Sequence, residues 1–327
     1  MNTPIPVGLI GLGRHGSRYL RHLVQEETGG KLAGMSRQHV KKGHRQAAEH
    51  GIQFFPDYHD LIAAPTIQAV LVVAPTALHA QIALEAIKHR KPLLIEKPLT
   101  LNSTEGRRIV DAAHQAGVPL MTGHTLRYEP VIQKIQEMST ALGPWQSLNA
   151  TMHLEERPET IGRQEPSHGT LLEFGIHLLD WVRMIMPKIP LTVSANMTRP
   201  SSNTPESQAE ITLTTPSGLT CQLDVARVKS QRVTHIEIAG EKGKVRGDWT
   251  HGVIETYEKD QRTAQEFVPS TPTIVLMLKG FFQALQTGQS MPITGEEGLR
   301  AVELAEACHE AAQNGQTIHL PTTVARD

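Results

Sequence analysis

The apolar run Val7-Gly8-Leu9-Ile10 passes straight into Gly11-Leu12-Gly13-Arg14-His15-Gly16, and a helix-like stretch from Ser17 to Glu27 follows, with Tyr19, Leu20, Leu23 and Val24 on one side. A glycine triplet at these spacings says little alone. Set between a strand and a helix it constrains the fold more than any other feature of the chain. Gly11 permits a tight turn, Gly13 lets the backbone approach a pyrophosphate, and Gly16 lets helix and strand pack closely. The amides of the helix N-terminus then face the phosphates. Residues 11–16 therefore form the first candidate cofactor-binding segment.

Lys31-Leu32-Ala33-Gly34-Met35 reads as a second strand, running out at Ser36-Arg37-Gln38-His39. An NAD-binding unit usually carries an acidic residue here to bond the ribose 2′-hydroxyl. None occurs between Glu27 and Glu49, and the window holds Arg37, His39, Lys41, Lys42 and Arg45 instead. A hydroxyl at Ser36 and a guanidinium at Arg37 suit a 2′-phosphate, which arginine grips bidentately. NADP is the expected cofactor, with NAD the alternative; a solvated basic helix start is the other reading of this window.

The βα alternation continues through a strand at Gln53-Phe54-Phe55 and a brief helix from Tyr58 to Ala63. Ala69-Val70-Leu71-Val72-Val73-Ala74 is apolar throughout, as a strand covered on both faces must be. It ends at Pro75-Thr76-Ala77-Leu78-His79, where Thr76 is placed to cap a helix. Pro92-Leu93-Leu94-Ile95 delivers Glu96-Lys97-Pro98 to the same sheet edge. Ala74, Pro75, Thr76, His79, Glu96 and Lys97 thus join the candidate cofactor edge. A helix from Asn102 or Ser103 to Ala116, closed by Gly117, and a sixth strand over Val118–His124 complete a doubly wound parallel sheet. Residues 1–125 form the expected dinucleotide-binding domain, and residues 126–327 a second domain.

Past Thr125 the periods change. A helix runs to Met138, Trp145 to Leu154 reads as a strand, and Ala209-Ile211-Leu213, Cys221-Leu223-Val225 and Ile236-Ile238 alternate as strands with one covered face do. Val253–Tyr257 and Glu266–Val268 are further strand candidates. Helices are expected over Thr273–Gln286 and Glu296–Gln313. The class is α+β, a sheet with one face on a core formed by the helices. Between them, about Gly169 to Met186, lies a helix that is apolar nearly all round. Only Glu173, His177 and Asp180, at i, i+4 and i+7, share a polar face. An imidazole between two carboxylates can hold and pass a proton near neutral pH. A core histidine satisfied by its neighbours is the competing interpretation.

Lys and Arg total 32 against 33 Asp and Glu, which gives no pull toward nucleic acid or an anionic membrane. Cys221 and Cys308 stand far apart, without the spacing of a zinc site, as suits a reducing, cytoplasmic setting. No metal is expected. No apolar run is long enough to span a bilayer.

The ordered set GLGRHG, Ala74-Pro75-Thr76-x-x-His79, Glu96-Lys97-Pro98, Arg127-Tyr128 and Glu173-x-x-x-His177-x-x-Asp180, with the ending TGQSMPITGEEGLRAVELAEA, resembles the glucose–fructose oxidoreductase, inositol dehydrogenase and rhizopine-catabolism (Gfo/Idh/MocA) family over essentially the whole chain. The resemblance implies an N-terminal Rossmann domain and a C-terminal domain with a large open, mostly antiparallel sheet, through which members commonly oligomerise. It implies an NAD(P)-dependent dehydrogenase or reductase acting on sugars, inositols or related hydroxy or keto compounds. By position, Lys97 resembles the catalytic lysine and His177 the proton-transferring histidine. Arg127 lies where members often place an arginine near cofactor or substrate. Glu173 departs from the more usual Asp and reaches a methylene further, and the glycine cluster before this helix is reduced to Ser167-His168-Gly169. Glu173 and Asp180 complete the catalytic candidates, as groups that orient the imidazole. Two alternatives stay open: a glycoside-cleaving enzyme with permanently bound NAD(H), and a non-catalytic NADP-binding regulator.

Overall fold

The computed structural model describes residues 3–25, 27–156, 168–186 and 191–320. They divide into two compact units, Met1–Thr125 with Pro272–Val302, and Leu126–Thr271 with Glu303–Asp327.

The first unit is built on six parallel strands: β1 (Ile5–Ile10), β2 (Gly30–Ser36), β3 (Gln53–Phe55), β4 (Ala69–Val72), β5 (Leu93–Glu96) and β6 (Leu120–Gly123). Their order across the sheet is β3-β2-β1-β4-β5-β6. Every residue of β4, β5 and β6 is buried, as the apolar runs require of strands covered on both faces. The connecting helices are α1 (Gly16–Gln25), α2 (Val40–His50), α3 (Tyr58–Ala63), α4 (His79–Lys88) and α5 (Ser103–Ala116). The ends of α5 follow local chemistry: the Asn102 side chain accepts from Glu105 N at 2.9 Å, and Gly117 closes the helix at φ +62°. The expected Thr76 cap is not made. Thr76–Leu78 is a 3₁₀ turn, with Pro75 at the capping position, and α4 starts only at His79. Thr76 is inside that turn rather than ahead of it, so its hydroxyl is not placed for the capping bond.

Residues far along the chain finish this unit. The segment carrying α8 (Thr273–Thr287) and the start of α9 (Gly295–Asn314) returns to it. Thr122 N donates to Ile293 O at 3.0 Å, Met121 and Thr294 form an antiparallel bridge, and Arg107 pairs with Glu296 at 3.0 Å. Phe282 of α8 lies against Gly29 and Gly30, and a Cβ on Gly30 would overlap its ring.

The second unit contains α6 (Pro130–Ser139), β7 (Trp145–Glu155), a π-helical turn (Leu171–Gly175) that continues into α7 (Ile176–Ile185), then β8 (Leu191–Thr198), β9 (Gln208–Thr214), β10 (Thr220–Val228), β11 (Val233–Gly240), β12 (Gly243–Asp248), β13 (Val253–Glu258), β14 (Gln261–Phe267) and β15 (Ile318–Leu320). Nine strands form one sheet in the order β14-β13-β12-β11-β7-β10-β9-β8-β15. Only β7 and β10 pair in parallel; the other ladders are antiparallel. The sequence pattern gave no strand at β8, β12 or β15. β8 does alternate, with Leu191, Val193, Ala195 and Met197 on its more covered face, so its signal was present in the sequence; β12 is six residues with two glycines, and β15 is three residues long.

Leu148, Ala150, Met152, Ala209, Ile211, Leu213, Cys221, Leu223 and Val225 are buried on one face of this sheet. The helices cover that face: Val131 and Ile135 of α6 press on Gly247, and the π turn sits on Val225 at Gly175. On the other face a groove of about 520 Å³ is lined by short polar side chains such as Asn149, Thr151, Thr212 and Gln222, and by no candidate site residue. Among the described residues no helix is long and apolar enough to cross a membrane.

Candidate active site

In the first unit the chain leaves β1 toward one side of the sheet and β4 toward the other, so a crevice opens at their carboxyl ends. The glycine loop occupies that point. Gly11 has φ +94°, and a Cβ there would lie 2.6 Å from Ala74 N, so only glycine fits between the ends of β1 and β4. A Cβ on Gly16 would overlap the Gly11 carbonyl, whereas Gly13 has nothing within 4 Å. The loop is tight where it meets its own sheet and open where a ligand would approach. That is the cradle a pyrophosphate needs. Leu12 is buried and serves the core, and Arg14 is exposed.

At the end of β2, Ser36 is buried and its carbonyl accepts Gly11 N at 3.0 Å. Arg37 donates from Nη1 to Gln46 Oε1 at 2.5 Å, while its buried Nε has no hydrogen-bond partner among the described residues. A guanidinium with an unspent buried donor fits an anionic ligand at this position. His79 is buried between two carbonyls, with Nδ1 3.0 Å from Pro98 O and Nε2 3.0 Å from Ala74 O, so its ring ties the end of β4 to the turn after β5. Burial holds its pKa below the ordinary imidazole value, against those carbonyl contacts.

Glu96 and Lys97 follow at the end of β5. Glu96 is buried, yet its carboxylate is well supplied: Tyr19 OH donates to Oε1, His15 Nε2 lies 2.7 Å from the same oxygen, and Lys97 N donates to Oε2 at 3.0 Å. Burial pulls the Glu96 pKa up. The His15 hydrogen bond and charge, the Lys97 charge and the Tyr19 hydroxyl outweigh it and bring it down to about 2. Burial first, then the Glu96 charge, push Tyr19 well above its ordinary value. Lys97 is half-buried.

The second unit holds the other candidates. Glu173 and His177 are half-buried and Asp180 is fully buried, in a helix whose remaining side chains are mostly core. Glu173 falls in the π turn rather than in a regular α-helix, so the expected i, i+4 relation to His177 runs across a widened turn. Each carboxylate is matched by an arginine from elsewhere. Arg227 of β10 meets Glu173 at 2.5 Å and stacks over Phe174, its Cζ 4.7 Å from the ring centroid. Arg127 grips Asp180 bidentately, at 2.7 Å through Nε and 2.6 Å through Nη2. Arg127, expected beside the cofactor, thus spends two donors on Asp180. The ladder of the sheet brought Arg227 to the helix, and nothing local in the sequence signals it. Glu206 was also missed: its buried carboxylate accepts Leu171 N at 3.1 Å and caps the start of this helix. His153 of β7 bonds Asp224 of β10 at 2.8 Å on the sheet's outer face. Tyr128 and His168 are half-buried. Arg157, Arg163 and Ser167 lie outside the described residues.

Comparison with known proteins agrees with this architecture. Residues 5–124 match the family model described as "Oxidoreductase family, NAD-binding Rossmann fold" (GFO_IDH_MocA), and residues 159–320 match its companion, "Oxidoreductase family, C-terminal alpha/beta domain". The chain is 27% identical to the uncharacterized oxidoreductase YrbE of Bacillus subtilis, over 99% of this chain and 98% of the relative. It is 24% identical to myo-inositol 2-dehydrogenase of Thermotoga maritima, over 97% and 99%. Among solved structures, aldose-aldose oxidoreductase of Caulobacter crescentus superposes with a TM-score of 0.85 at 21% identity, covering 97% of this chain and 99% of that one.

Proposed function

Because this chain belongs to the Gfo/Idh/MocA oxidoreductase family, we propose that it is a nicotinamide-dependent dehydrogenase or reductase acting on a sugar, an inositol or a related hydroxy or keto compound, with NADP as the preferred cofactor. The observation that carries this reading is the glycine loop: closed against its own sheet at Gly11 and Gly16, open at Gly13, and placed where the sheet reverses direction. Ser36 and Arg37, with the unspent Arg37 Nε, support the 2′-phosphate preference. The relatives named for inositol and aldose chemistry support the substrate class.

When bound, the nicotinamide supplies the hydride acceptor or donor. The protein's own residues do the rest. His177 takes the hydroxyl proton of the substrate in the oxidative direction and returns it in the reductive one. The Lys97 ammonium stabilises negative charge developing on a substrate oxygen. Asp180, fixed by Arg127, and Glu173, fixed by Arg227, keep the helix turns on either side of His177 in place. The Glu96 carboxylate, bonded to Lys97 N, sets the backbone from which the ammonium projects.

A panel of sugars, inositols and keto-sugars assayed against NADP and NAD by absorbance of the reduced cofactor tests this. Turnover with at least one polyol or ketose is expected, and Lys97→Met should cut it by about two to three orders of magnitude while cofactor binding survives. Near-normal turnover in that variant removes Lys97 from the mechanism. Tight cofactor binding without hydride transfer to any member of the panel would instead favour a regulator.

A further inference from the structure

The third variable position of the glycine loop is a histidine, and it does not simply face solvent. His15 Nε2 sits 2.7 Å from the buried Glu96 carboxylate, with 43% of the His15 side chain exposed against 6% for Glu96. Tyr19, one turn along α1, donates to the same Oε1 and packs its ring edge-on against His15, with centroids 5.5 Å apart. The carboxylate is therefore bound to the loop and first turn of the helix whose N-terminus would receive a diphosphate. A buried negative charge is an unfavourable neighbour for that group: two anions in a poorly screened environment repel over this range. Something must neutralise it. Lys97 contributes from the strand side. On the other side Tyr19 reaches the same oxygen from α1, and His15 is the contact made by the glycine loop itself.

Resting on the dinucleotide-binding reading above, we propose that His15 is a positioning residue for the cofactor: its ring nitrogen covers the Glu96 carboxylate from the loop, so that the diphosphate meets a hydrogen-bonded pair instead of a bare carboxylate. His15 matters to binding because Glu96 is charged, not because the imidazole touches the cofactor. The pair also couples the loop to Lys97, whose backbone N–H is held by the other carboxylate oxygen.

A double-mutant cycle read by NADPH and NADH fluorescence titration of the purified full chain separates this from a packing role. In the native background H15A is expected to weaken NADPH binding about tenfold at low ionic strength, with the loss shrinking as salt is raised. In an E96Q background the same H15A change is expected to cost less than about twofold, because no carboxylate charge remains to be offset. Circular dichroism of each variant establishes that it is folded. An equal loss in both backgrounds, or none in the native one, overturns the proposal. A native protein that binds neither NADPH nor NADH overturns the dinucleotide reading itself, and this inference with it.

Discussion

The Arg127–Asp180 pair offers the sharpest test of what holds the central helix. Both partners are withdrawn from water, with Arg127 9% exposed and Asp180 0%, and two bonds of 2.6 and 2.7 Å join them. Deleting one member of such a pair leaves the other charge desolvated, which costs about 3–5 kcal/mol, far more than an exposed pair would. For a unit of roughly 150–250 residues each kcal/mol moves the melting midpoint by about 2–4 °C, so Arg127→Met should lower Tm by about 6–20 °C. Raising the salt concentration should change this little, since the pair is shielded from bulk ions. A circular-dichroism melt at neutral pH measures it. Combining Arg127→Met with Asp180→Asn should recover at least half of the loss, because the stranded charge goes with its partner. A single variant that melts within about 2 °C of the native protein would refute the reasoning and mark the pair as energetically idle.

Two further predictions use pH. The Glu96 carboxyl, lowered from 4.5 to about 2, lends stability that is complete above pH 4.5 and is lost as the pH falls toward 2; this amounts to about 3 kcal/mol, so acid unfolding followed by far-ultraviolet circular dichroism should have a shallower limb in Glu96→Gln. Glu129, at the start of α6, shows the reverse: burial raises its carboxyl to about 7, so its contribution is full below pH 4.5 and declines as the pH climbs through 7. Glu129→Gln should therefore be more stable than the native chain at pH 8 in thermal melts and indistinguishable from it at pH 4.

Much of the architecture was legible because it is written in short-range patterns. The unbroken apolar run at Ala69–Val72 announces a strand covered on both sides, Asn102 and Gly117 bracket α5, and the alternation in β9, β10 and β11 separates the covered from the wet face. The candidate site was legible to the same depth: the loop, Glu96-Lys97 and the Glu173/His177/Asp180 stripe are local. Their partners are not. Arg127 finds Asp180 across 53 residues and His15 finds Glu96 across 81, through topology that no local period encodes. The π turn escaped for a related reason. Hydrophobic spacing assumes a regular helix, and five residues of widened turn leave the composition of the segment unchanged.

The late return of Pro272–Val302 to the first unit has a consequence for how this protein is made. A ribosome that has translated through Thr125 has produced all six parallel strands but not Phe282, which closes the sheet over Gly29 and Gly30, nor Ile293, which bonds the outer edge at Thr122. At about 5–20 residues per second the nascent chain waits roughly 10–30 seconds for those residues to emerge. Throughout that interval the apolar surface beneath α8 is open to water and to chaperones. A gene fragment cut at the apparent domain border would remain in that unfinished condition permanently.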